Sequence, residues 1–436
     1  MMSAQENDLI TNISVNAPAG RLMRHYWQPA ALVEEMRGER PVKAVQLLGE
    51  DLVLFRDAAG HYGLMERHCP HRGADLCFGR LENGGLRCPF HGWLFDVAGN
   101  CLEQPAEPES SKFHQRLRHT AYPCIEHNGI IFAYMGTGEP PAFPNFDCFV
   151  APDRYTFAFK GLMECNWLQA LEVGIDPAHA SFLHRFFEDA DPSQSYGQQF
   201  RDAADLTDIP LTRLLRDYPR PDINVEPTEY GFRIITTRRL DNKQTHYRIT
   251  NLAFPHAIVI PMSREMTITQ WHVPINNFSC YWYAIFTSFG EPVDSAAMRK
   301  QRLELYLLPD YIPRLNRSNN WGFDPHEQAT KTFTGMGLDI NVHDQWACES
   351  LGAVQDRTRE HLGKSDVAIV TYRRMLKEAI RKVEDGEKAP FTWRPDDAAT
   401  IRGPVAIDAI GDPDSSACWE ARDRERREQH AWARLQ

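Results

Sequence analysis

The sequence predicts an α+β protein in which a small all-β domain precedes a larger domain that combines an antiparallel sheet with helices. Three observations support this order. At 436 residues the chain exceeds the length that one hydrophobic core usually holds. Short β-branched and aromatic runs separated by turn residues dominate residues 41–158. From residue 159 a helical stretch, four longer strand-like runs and two further helical patterns follow one another.

Local patterns predict the elements of the first part. Residues 21–27, rich in arginine and aromatic side chains, predict a short helix that leads into a strand, and we expect residues 1–40 to pack on the larger domain. Strands of the all-β domain are predicted at 42–48, 52–55 and 129–136. The Pro-rich run 139–144 is interpreted as a linker.

The larger domain is predicted over residues 159–395. A helical stretch at 165–187 leads into a polar, Asp-rich loop at 188–208. Strands are predicted at 232–237, 246–250, 267–273 and 281–286, and helices at 294–308 and 365–386. Ser365 is the expected N-cap of the last helix, and Gly386 its end. We interpret 396–436 as a charged tail, with a solvated helix or frayed terminus at 422–428.

Charge, hydropathy and cysteine content restrict the function classes. The net charge is −11 without a basic stripe, which argues against nucleic acid as a partner. No apolar run approaches the roughly twenty residues that span a bilayer, and the N-terminus lacks the order of a secretory signal. We therefore expect a cytoplasmic protein without a membrane partner. Eight of the ten cysteines show no CxxC-type pairing and are interpreted as buried or idle thiols.

Residues 67–93 contain two metal-binding half-motifs. Cys69 and His71 form the first, and Cys88 and His91 form the second, with sixteen residues between the two. Two thiolates and two imidazoles suit a structural zinc, but zinc knuckles usually place more than one residue between the ligands of a pair. A cluster with one iron held by both cysteines and the other by both histidines needs one such half-motif in each loop. The pattern favours a Rieske [2Fe-2S] cluster, with zinc as the alternative.

The residues around these ligands indicate which kind of Rieske centre is present. High-potential Rieske proteins carry two further cysteines that join the loops by a disulfide. Here Ala74 and Phe90 stand at those places. Without that disulfide, the pattern resembles the Rieske domains of bacterial ring-hydroxylating oxygenases.

A second metal site is predicted between Gly174 and His184. Histidines five residues apart lie about 140° apart around a regular helix, so His179 and His184 share a face only at a distortion or a helix end. Gly174 loosens the backbone, and Asp176 followed by Pro177 provides a cap and a first helical turn. A lone histidine is more often a core or surface residue. Helix distortion beside both imidazoles favours ligation.

The D-x-x-H-x-x-x-x-H pattern of Asp176, His179 and His184 is similar to that of Rieske non-haem iron oxygenases. The chain is identified as an oxygenase (alpha) subunit of their phthalate dioxygenase-like branch, and the resemblance covers nearly its whole length. Aryl O-demethylases, such as that for dehydrodivanillate, share the pattern. The resemblance implies a Rieske domain followed by a catalytic domain of helix-grip type, in which a sheet wraps around helices.

The resemblance also implies a mononuclear Fe(II) held by two histidines and one carboxylate, with an open face for O2 and substrate. His179 and His184 are the implied imidazole ligands. Asp344 matches the carboxylate position, while Glu349 and Asp356 compete with it on chemistry alone.

Asp176 matches the residue that, in this family, links the Rieske histidine of one subunit to an iron-ligand histidine of its neighbour. Simple helix capping by Asp176 is the structural alternative. Many relatives carry Asn three residues before this aspartate, and here Val173 stands there. Electron transfer between subunits through the region of His91 and Asp176 implies a homotrimer, or a hexamer of two trimers.

The implied activity is hydroxylation or O-demethylation of an aromatic carboxylate by O2. The electrons would come from NAD(P)H through a flavin reductase, a ferredoxin, or both. Ring cis-dihydroxylation of a phthalate-like or chlorobenzoate-like acid is the alternative, and a pure electron carrier is the distant one. For the substrate carboxylate we favour Arg248, because it lies within a predicted strand. The arginines considered were Arg201, Arg233, Arg238, Arg239, Arg248 and Arg264.

Overall fold

The computed structural model describes residues 2–189, 209–241, 243–413 and 415–434. Arg201 and most of the loop predicted at 188–208 lie outside the described residues. Within the described ranges, no helix is both long enough and apolar enough to cross a bilayer.

The chain opens with two short helices and a strand. These are α1 (Ala4–Thr11), α2 (Pro18–Met23) and β1 (Trp27–Leu32). A capping box starts α1, because Ser3 Oγ accepts the Glu6 N–H and the Glu6 carboxylate accepts the Ser3 N–H. The predicted helix that leads into a strand is confirmed.

The first part of the chain is built from three small antiparallel sheets. Its further strands are β2 (Val42–Leu47), β3 (Glu50–Arg56), β4 (Tyr62–Glu66), β5 (Arg80–Glu82), β6 (Gly85–Arg87), β7 (Leu94–Phe95), β8 (Cys101–Glu103), β9 (Ala121–Tyr122), β10 (Cys124–His127) and β11 (Ile130–Tyr134). The strand orders are β2-β3-β4-β9, β5-β6-β7-β8 and β1-β11-β10. The two candidate cluster loops connect β4 to β5 and β6 to β7, so both lie at the β5–β8 sheet.

The second part is dominated by an eight-stranded antiparallel sheet within the described residues. Its strands follow the order β12-β18-β17-β16-β15-β14-β13, and β21 pairs with the first half of β15. These strands are β12 (Thr156–Met163), β13 (Asp222–Thr228), β14 (Gly231–Arg239), β15 (Thr245–Ala253), β16 (Ala257–Pro261), β17 (Met266–Asn276), β18 (Ser279–Ser288) and β21 (Ile407–Gly411). A separate short hairpin joins β19 (Tyr306–Leu307) to β20 (Ile312–Pro313). The four strands predicted for this domain are confirmed.

Helices complete the second part. They are α3 (Asp147–Val150), α4 (Trp167–Gly174), α5 (Ala180–Leu183), α6 (Leu211–Asp217), α7 (Ser295–Leu303), α8 (Pro325–Thr330), α9 (Ile340–Ser350), α10 (Val367–Glu384), α11 (Pro395–Ala398), α12 (Ala417–Glu428) and α13 (Ala431–Arg434). Of these helices, α3, α4, α7, α10 and α12 contact the large sheet. One hydrophobic core runs from α2 and β11 through α4 to the sheet and α10, with Leu22, Phe132, Trp167 and Leu376 fully buried in it. The two parts therefore share a core, which fixes their relative positions.

Two predicted helix boundaries are wrong. The helix expected at 294–308 ends at Leu303, because Tyr306 instead pairs with Pro313 in the β19–β20 hairpin. Ser365 does not cap α10, since the chain turns through a 3-10 segment there and the Asp366 carboxylate accepts the Gly363 N–H. The predicted end near Gly386 is confirmed: α10 stops at Glu384, and Gly386 has a positive φ of 78°.

A helix covers the predicted residues 422–428, but the prediction that this tail is solvated is wrong. Strand β21 extends the large sheet, and α12 covers the outer face of β15 and β21, where Trp419 is buried against Tyr247 and Ile407. The inward-facing charges of α12 are paired rather than hydrated: Arg427 bonds Asp147 at 2.6 Å and Asp423 at 2.7 Å. The docking of α12 could not be predicted from its mixed charges. Each buried charge is paired with a residue far away in the sequence or on the same helix.

Candidate metal centres and substrate cavity

The two half-motifs form a pair of matching loops. In each loop a glycine with positive φ closes a tight turn, Gly73 at 77° and Gly92 at 76°. The Gly73 N–H donates to the Cys69 carbonyl at 2.8 Å, and the Gly92 N–H donates to the Cys88 carbonyl at 3.0 Å. Each loop thus uses the same kind of turn to present one cysteine and one histidine, and the two loops face a single site from opposite sides.

The donor atoms of these loops fit a Rieske cluster. Both thiols, Cys69 and Cys88, are buried and reduced. The rings of His71 and His91 lie 4.4 Å apart, and the Nδ1 atom of each is buried without a hydrogen-bond partner in the described part of the chain. Orphaned buried ring nitrogens are costly unless a missing group takes them up. Two thiolates and two such nitrogens are the ligand set of a Rieske [2Fe-2S] cluster.

Aromatic side chains surround the two histidines. Trp93 stacks on His71, with ring centroids 4.4 Å apart and an angle of 9° between the planes. On the other side Phe90 contacts His91, and the Arg72 guanidinium lies 5.3 Å from the Phe90 ring centre. Phe90 remains 54% exposed. The histidine edge of the site therefore lies at the protein surface.

The predicted helix distortion is present at the second site. Helix α4 ends at Gly174, the next five residues are irregular, and α5 is one turn long. His179 precedes α5 and His184 follows it, so the five-residue spacing brings both imidazoles to one side. The stretch predicted as helical at 165–187 is thus two helices with a break between them.

Three predicted ligand residues meet here. His179 Nε2 lies 3.2 Å from His184 Nε2. The Oδ1 atom of Asp344, from α9, lies 3.2 Å from His184 Nε2 and 3.7 Å from His179 Nε2. Ligand atoms about 2.1 Å from an ion on adjacent octahedral positions lie about 3 Å apart. These three atoms therefore fit one face of a single metal ion.

The two competing carboxylates lie elsewhere. Glu349 is buried and accepts hydrogen bonds from the Glu164 N–H at 2.9 Å and from the Trp321 indole at 2.9 Å. Asp356 is on the surface and accepts the Thr358 N–H at 3.0 Å. Neither belongs to the group of metal-ligating atoms around the two imidazoles in the described residues.

Hydrogen bonds orient both imidazoles. His179 Nδ1 donates to the backbone carbonyl of Asp176. His184 Nδ1 contacts Nδ1 of His343 at 3.4 Å, and His343 Nε2 contacts the Gly337 carbonyl at 3.0 Å. Each Nε2 is thereby left as the unprotonated nitrogen that faces the ligand cluster. Sequence reasoning missed His343, although its position beside Asp344 on a helix was a usable signal.

Asp176 lies between the inside and the outside of the domain. It lines the inner cavity that contains the ligand cluster and also an outer surface depression. Its carboxylate accepts the Ala178 N–H at 2.8 Å, which closes a turn in the loop before α5. Asp176 does not cap α5, because His179 occupies the N-cap position, so the capping alternative considered from the sequence is wrong.

A cavity of about 120 Å³ extends from the ligand cluster. Apolar side chains form most of its wall: Leu215, Ile258, Ile260, Ile268, Trp282 and Phe286. Arg238, Arg248 and Arg302 also line it, and Arg302 lies with its guanidinium 5.3 Å from the Phe286 ring centre. Such a cavity suits a small apolar ring that carries an anionic group.

The arginines differ in how their charges are satisfied. Arg248, favoured from the sequence, is bonded to Asp408 at 2.5 Å and to the Pro261 carbonyl at 3.0 Å. Arg233, Arg239 and Arg264 are not among the residues of the cavity wall.

Arg238 is only 1% exposed, and nothing in its sequence pattern distinguished it from the neighbouring arginines. Its Nε donates to the Tyr218 carbonyl at 3.1 Å and its Nη2 to Ser181 Oγ at 3.3 Å. Its Nη1 has no partner among the described residues. Burial, together with the nearby Arg248 charge, lowers the pKa of Arg238 to about 10.

Comparison with known proteins agrees with both parts. Residues 26–121 match the family model of the Rieske [2Fe-2S] domain, and residues 133–400 match the model described as LigXa C-terminal domain like. The phthalate 4,5-dioxygenase oxygenase subunit of Pseudomonas putida is 35% identical, over 89% of this chain and 88% of its own length. The 5,5'-dehydrodivanillate O-demethylase oxygenase subunit of a Sphingobium species is 30% identical, over 94% and 86%.

Among solved structures, NdmA of Pseudomonas putida CBB5 shares the fold, with a TM-score of 0.57 and 18% identity over 90% of this chain and 98% of that one. A Rieske domain joined to this catalytic domain defines the oxygenase component of a Rieske non-haem iron oxygenase. The chain belongs to the phthalate dioxygenase-like family of these enzymes. Its cofactors are a Rieske [2Fe-2S] cluster and a mononuclear iron, with electrons supplied by a reductase system.

Proposed function

We propose that this oxygenase hydroxylates or O-demethylates a small aromatic carboxylic acid, which it holds by Arg238. The observation that carries this proposal is the buried Nη1 atom of Arg238, which lines the iron-site cavity without a partner among the described residues. A buried guanidinium with an open N–H position favours an anionic ligand, and a carboxylate matches its planar geometry. The apolar wall opposite suits an aromatic ring.

The atoms that can donate to a metal identify the ligands of the cluster and of the iron. Cys69, His71, Cys88 and His91 hold the cluster, and His179, His184 and Asp344 hold the iron in our proposal. What the two cofactors supply when bound is single-electron transfer and a place for O2 activation. The protein's own residues bind the acid, direct its ring toward the ligand cluster and exclude water from the apolar cavity.

Two relatives support an aromatic acid as the substrate class. Their names state action on phthalate and on 5,5'-dehydrodivanillate. One name specifies a dioxygenase and the other an O-demethylase, so ring cis-dihydroxylation is the alternative outcome for this chain. Which reaction occurs depends on whether a ring carbon or a methoxy group lies nearest the iron.

Electrons reach the iron from a neighbouring subunit in our proposal. The exposed side chains Phe182, Phe323, Phe333 and Leu351 surround the outer depression beside Asp176. The cluster tip carries the exposed aromatic Phe90 beside His91. An apolar depression at one site and an aromatic tip at the other are suited to a head-to-tail contact. We propose a homotrimer or a pair of trimers, in which Asp176 links the cluster histidine of one subunit to His179 of the next.

The experiment uses purified protein loaded with iron and supplied with NADH, a flavin reductase and a ferredoxin. Oxygen consumption, corrected for uncoupling, is measured for benzoates, phthalates and methoxylated aromatic acids and for their methyl esters. We expect product from acids and none from the esters. Arg238→Gln should raise KM for the acid by about 100-fold, because a charged hydrogen bond is lost. Equal turnover of acid and ester would refute the proposal.

Colour provides a direct check on the cluster. The purified protein should be brown, with visible absorption that bleaches on addition of dithionite. A colourless protein that contains only zinc would support the zinc alternative. A pure electron carrier would show the cluster spectrum and no substrate-dependent oxygen consumption.

A further inference from the structure

Strand β21 places a carboxylate directly behind the substrate cavity. In the pairing of β15 with β21, Arg248 stands opposite Asp408. In the pairing of β15 with β14, Arg238 stands opposite His246 and Thr236 stands opposite Arg248. Directly opposed residues share one face of a sheet. These side chains therefore form one group on the inner face, of which Arg238 and Arg248 reach the cavity wall.

Asp408 neutralises one of the two arginines. Its Oδ2 bonds the Arg248 guanidinium at 2.5 Å, and its Oδ1 contacts His246 Nε2 at 3.0 Å. Burial lowers the pKa of His246 below its ordinary value, so His246 adds no positive charge near neutral pH. Although burial alone would raise the pKa of Asp408, the Arg248 charge holds it below its ordinary value. Two guanidinium groups and one carboxylate leave a single uncompensated positive charge.

Other charged groups of the cavity lie away from this group. Arg302 lies over Phe286 on β18, which is separated from β15 by β17 and β16 in the sheet. Asp344 belongs to the metal-ligand cluster, and Asp176 lies on the outward side. Among the residues that the structure describes, the end of the cavity formed by β14 and β15 thus carries one available positive charge, on Arg238.

We infer that Asp408 is a specificity-determining positioning residue, which makes this cavity select aromatic monocarboxylates over ortho-dicarboxylates. The inference rests on the proposed function, since it concerns the acid that Arg238 binds. One substrate carboxylate neutralises the positive charge of Arg238. A second carboxylate on the adjacent ring carbon would find the Arg248 charge already paired with Asp408. It would also be repelled by the negative charge of Asp408, which opposes binding.

The element that supplies Asp408 lies outside the range matched by the catalytic-domain model, which ends at residue 400. Strand β21 is held in place by α12, whose Trp419 packs on Ile407 and Ala409 of that strand. The segment after residue 400 therefore has a role in substrate choice. Its strand β21 pairs with the first half of β15 and places Asp408 beside Arg248.

The test compares binding of benzoate and phthalate to iron-loaded protein without oxygen, by isothermal titration calorimetry. The unmodified protein should bind benzoate more tightly. Asp408→Asn releases Arg248, so the ratio of phthalate to benzoate affinity should rise by about tenfold. Asp408→Glu keeps the charge and should keep the original ratio. Asp396→Asn, at an exposed position of α11, is the matched control and should also keep it.

A second experiment remains informative even if the single variant Asp408→Asn does not fold. In Arg248→Gln the Asp408 charge faces Arg238 without its partner, so benzoate affinity should fall by about tenfold. Adding Asp408→Asn to Arg248→Gln should restore it. An unchanged ratio in folded Asp408→Asn, or no restoration in the double variant, would overturn the inference. Failure of the unmodified protein to bind either acid would instead refute the proposed function.

Discussion

The Nδ1 atom of His184 lies 3.4 Å from the Nδ1 atom of His343, and both rings are buried. His343 is held by the Gly337 carbonyl through its Nε2, which must therefore carry the proton. Its own Nδ1 then accepts the Nδ1 proton of His184. Burial lowers the pKa of His343 to about 4, so the His343 ring is neutral near neutral pH. His343 thereby fixes which nitrogen His184 directs toward the ligand cluster.

Replacing His343 by Leu should weaken iron binding by about 10- to 100-fold, because His184 loses the acceptor that sets its tautomer and ring position. The measurement is iron content after dialysis against a graded chelator. The cluster spectrum should not change, since the Rieske loops lie in the other domain. His326→Gln, at an exposed position of α8, serves as control. Unaltered iron affinity in His343→Leu would contradict the assigned tautomer chain.

Asp176→Asn tests the proposed link between subunits. Asparagine keeps the oxygen that accepts the Ala178 N–H, and the backbone carbonyl that holds His179 is unaffected. Both metals should stay bound, while turnover should fall by about 100-fold because the negative charge between the two centres is lost. Metal analysis, dithionite titration of the cluster and product formation together check this. Normal turnover would leave Asp176 with only its turn contact to the Ala178 N–H.

The histidine and cysteine members of the candidate metal sites could be predicted from the sequence because their signals are local, whereas Asp344 was matched only through the family resemblance. His179 and His184 stand beside residues that break a helix, and each cluster ligand pair lies within one loop. The choice between Arg238 and Arg248 could not be made in the same way. The pairing register of β14 with β15 places both on one face. Their difference comes from Asp408, which belongs to a segment whose composition predicted solvent exposure.

The elements of the fold also divide into those predictable from local patterns and those that depend on distant residues. Strand runs such as β14 and β18 were predictable because alternation and β-branched residues are local properties. The docking of α12 was not, since it depends on Arg427 meeting Asp147 and on Trp419 meeting the back of β15. Helix α7 ended earlier than its pattern indicated because Tyr306 has a strand partner downstream. Long-range partners decided each of these elements.

Trp419→Ala should destabilise the C-terminal segment. Trp419 is buried against Tyr247, Ile249 and Ala409, and removal of so large a buried side chain costs about 3–5 kcal/mol. Thermal unfolding followed by circular dichroism should show a lower Tm or an earlier separate transition. Glu420→Ala, one residue along on the exposed face, should leave the curve unchanged. A solvated tail would show no effect from either substitution.

Glu172 on α4 joins three parts of the chain by buried ion pairs. It bonds Arg357 at 2.8 Å and Arg373 of α10 at 2.5 Å, and Arg373 also bonds Glu360. Glu172→Gln leaves two buried guanidinium groups short of one negative charge. Loss of one partner from a buried ion pair costs about 3–5 kcal/mol, so we expect a clear fall in Tm at pH 7. Glu378→Gln, at a surface position of α10, is the control.

The ion pairs of Glu172 also make the stability of the fold depend on pH, in a direction that can be predicted. Burial alone would raise the pKa of Glu172, but the Arg357 charge, with that of Arg373, holds it below its ordinary value near 4.5. A carboxyl whose pKa is depressed in the folded state contributes its full stability above the unfolded pKa and loses it as the pH falls through the folded pKa. The Tm difference between the unmodified protein and Glu172→Gln should therefore be constant from pH 7 to about 5 and shrink below pH 4.5. A difference that grew on acidification would show that Glu172 is protonated in the folded protein, and the ion-pair account would fail.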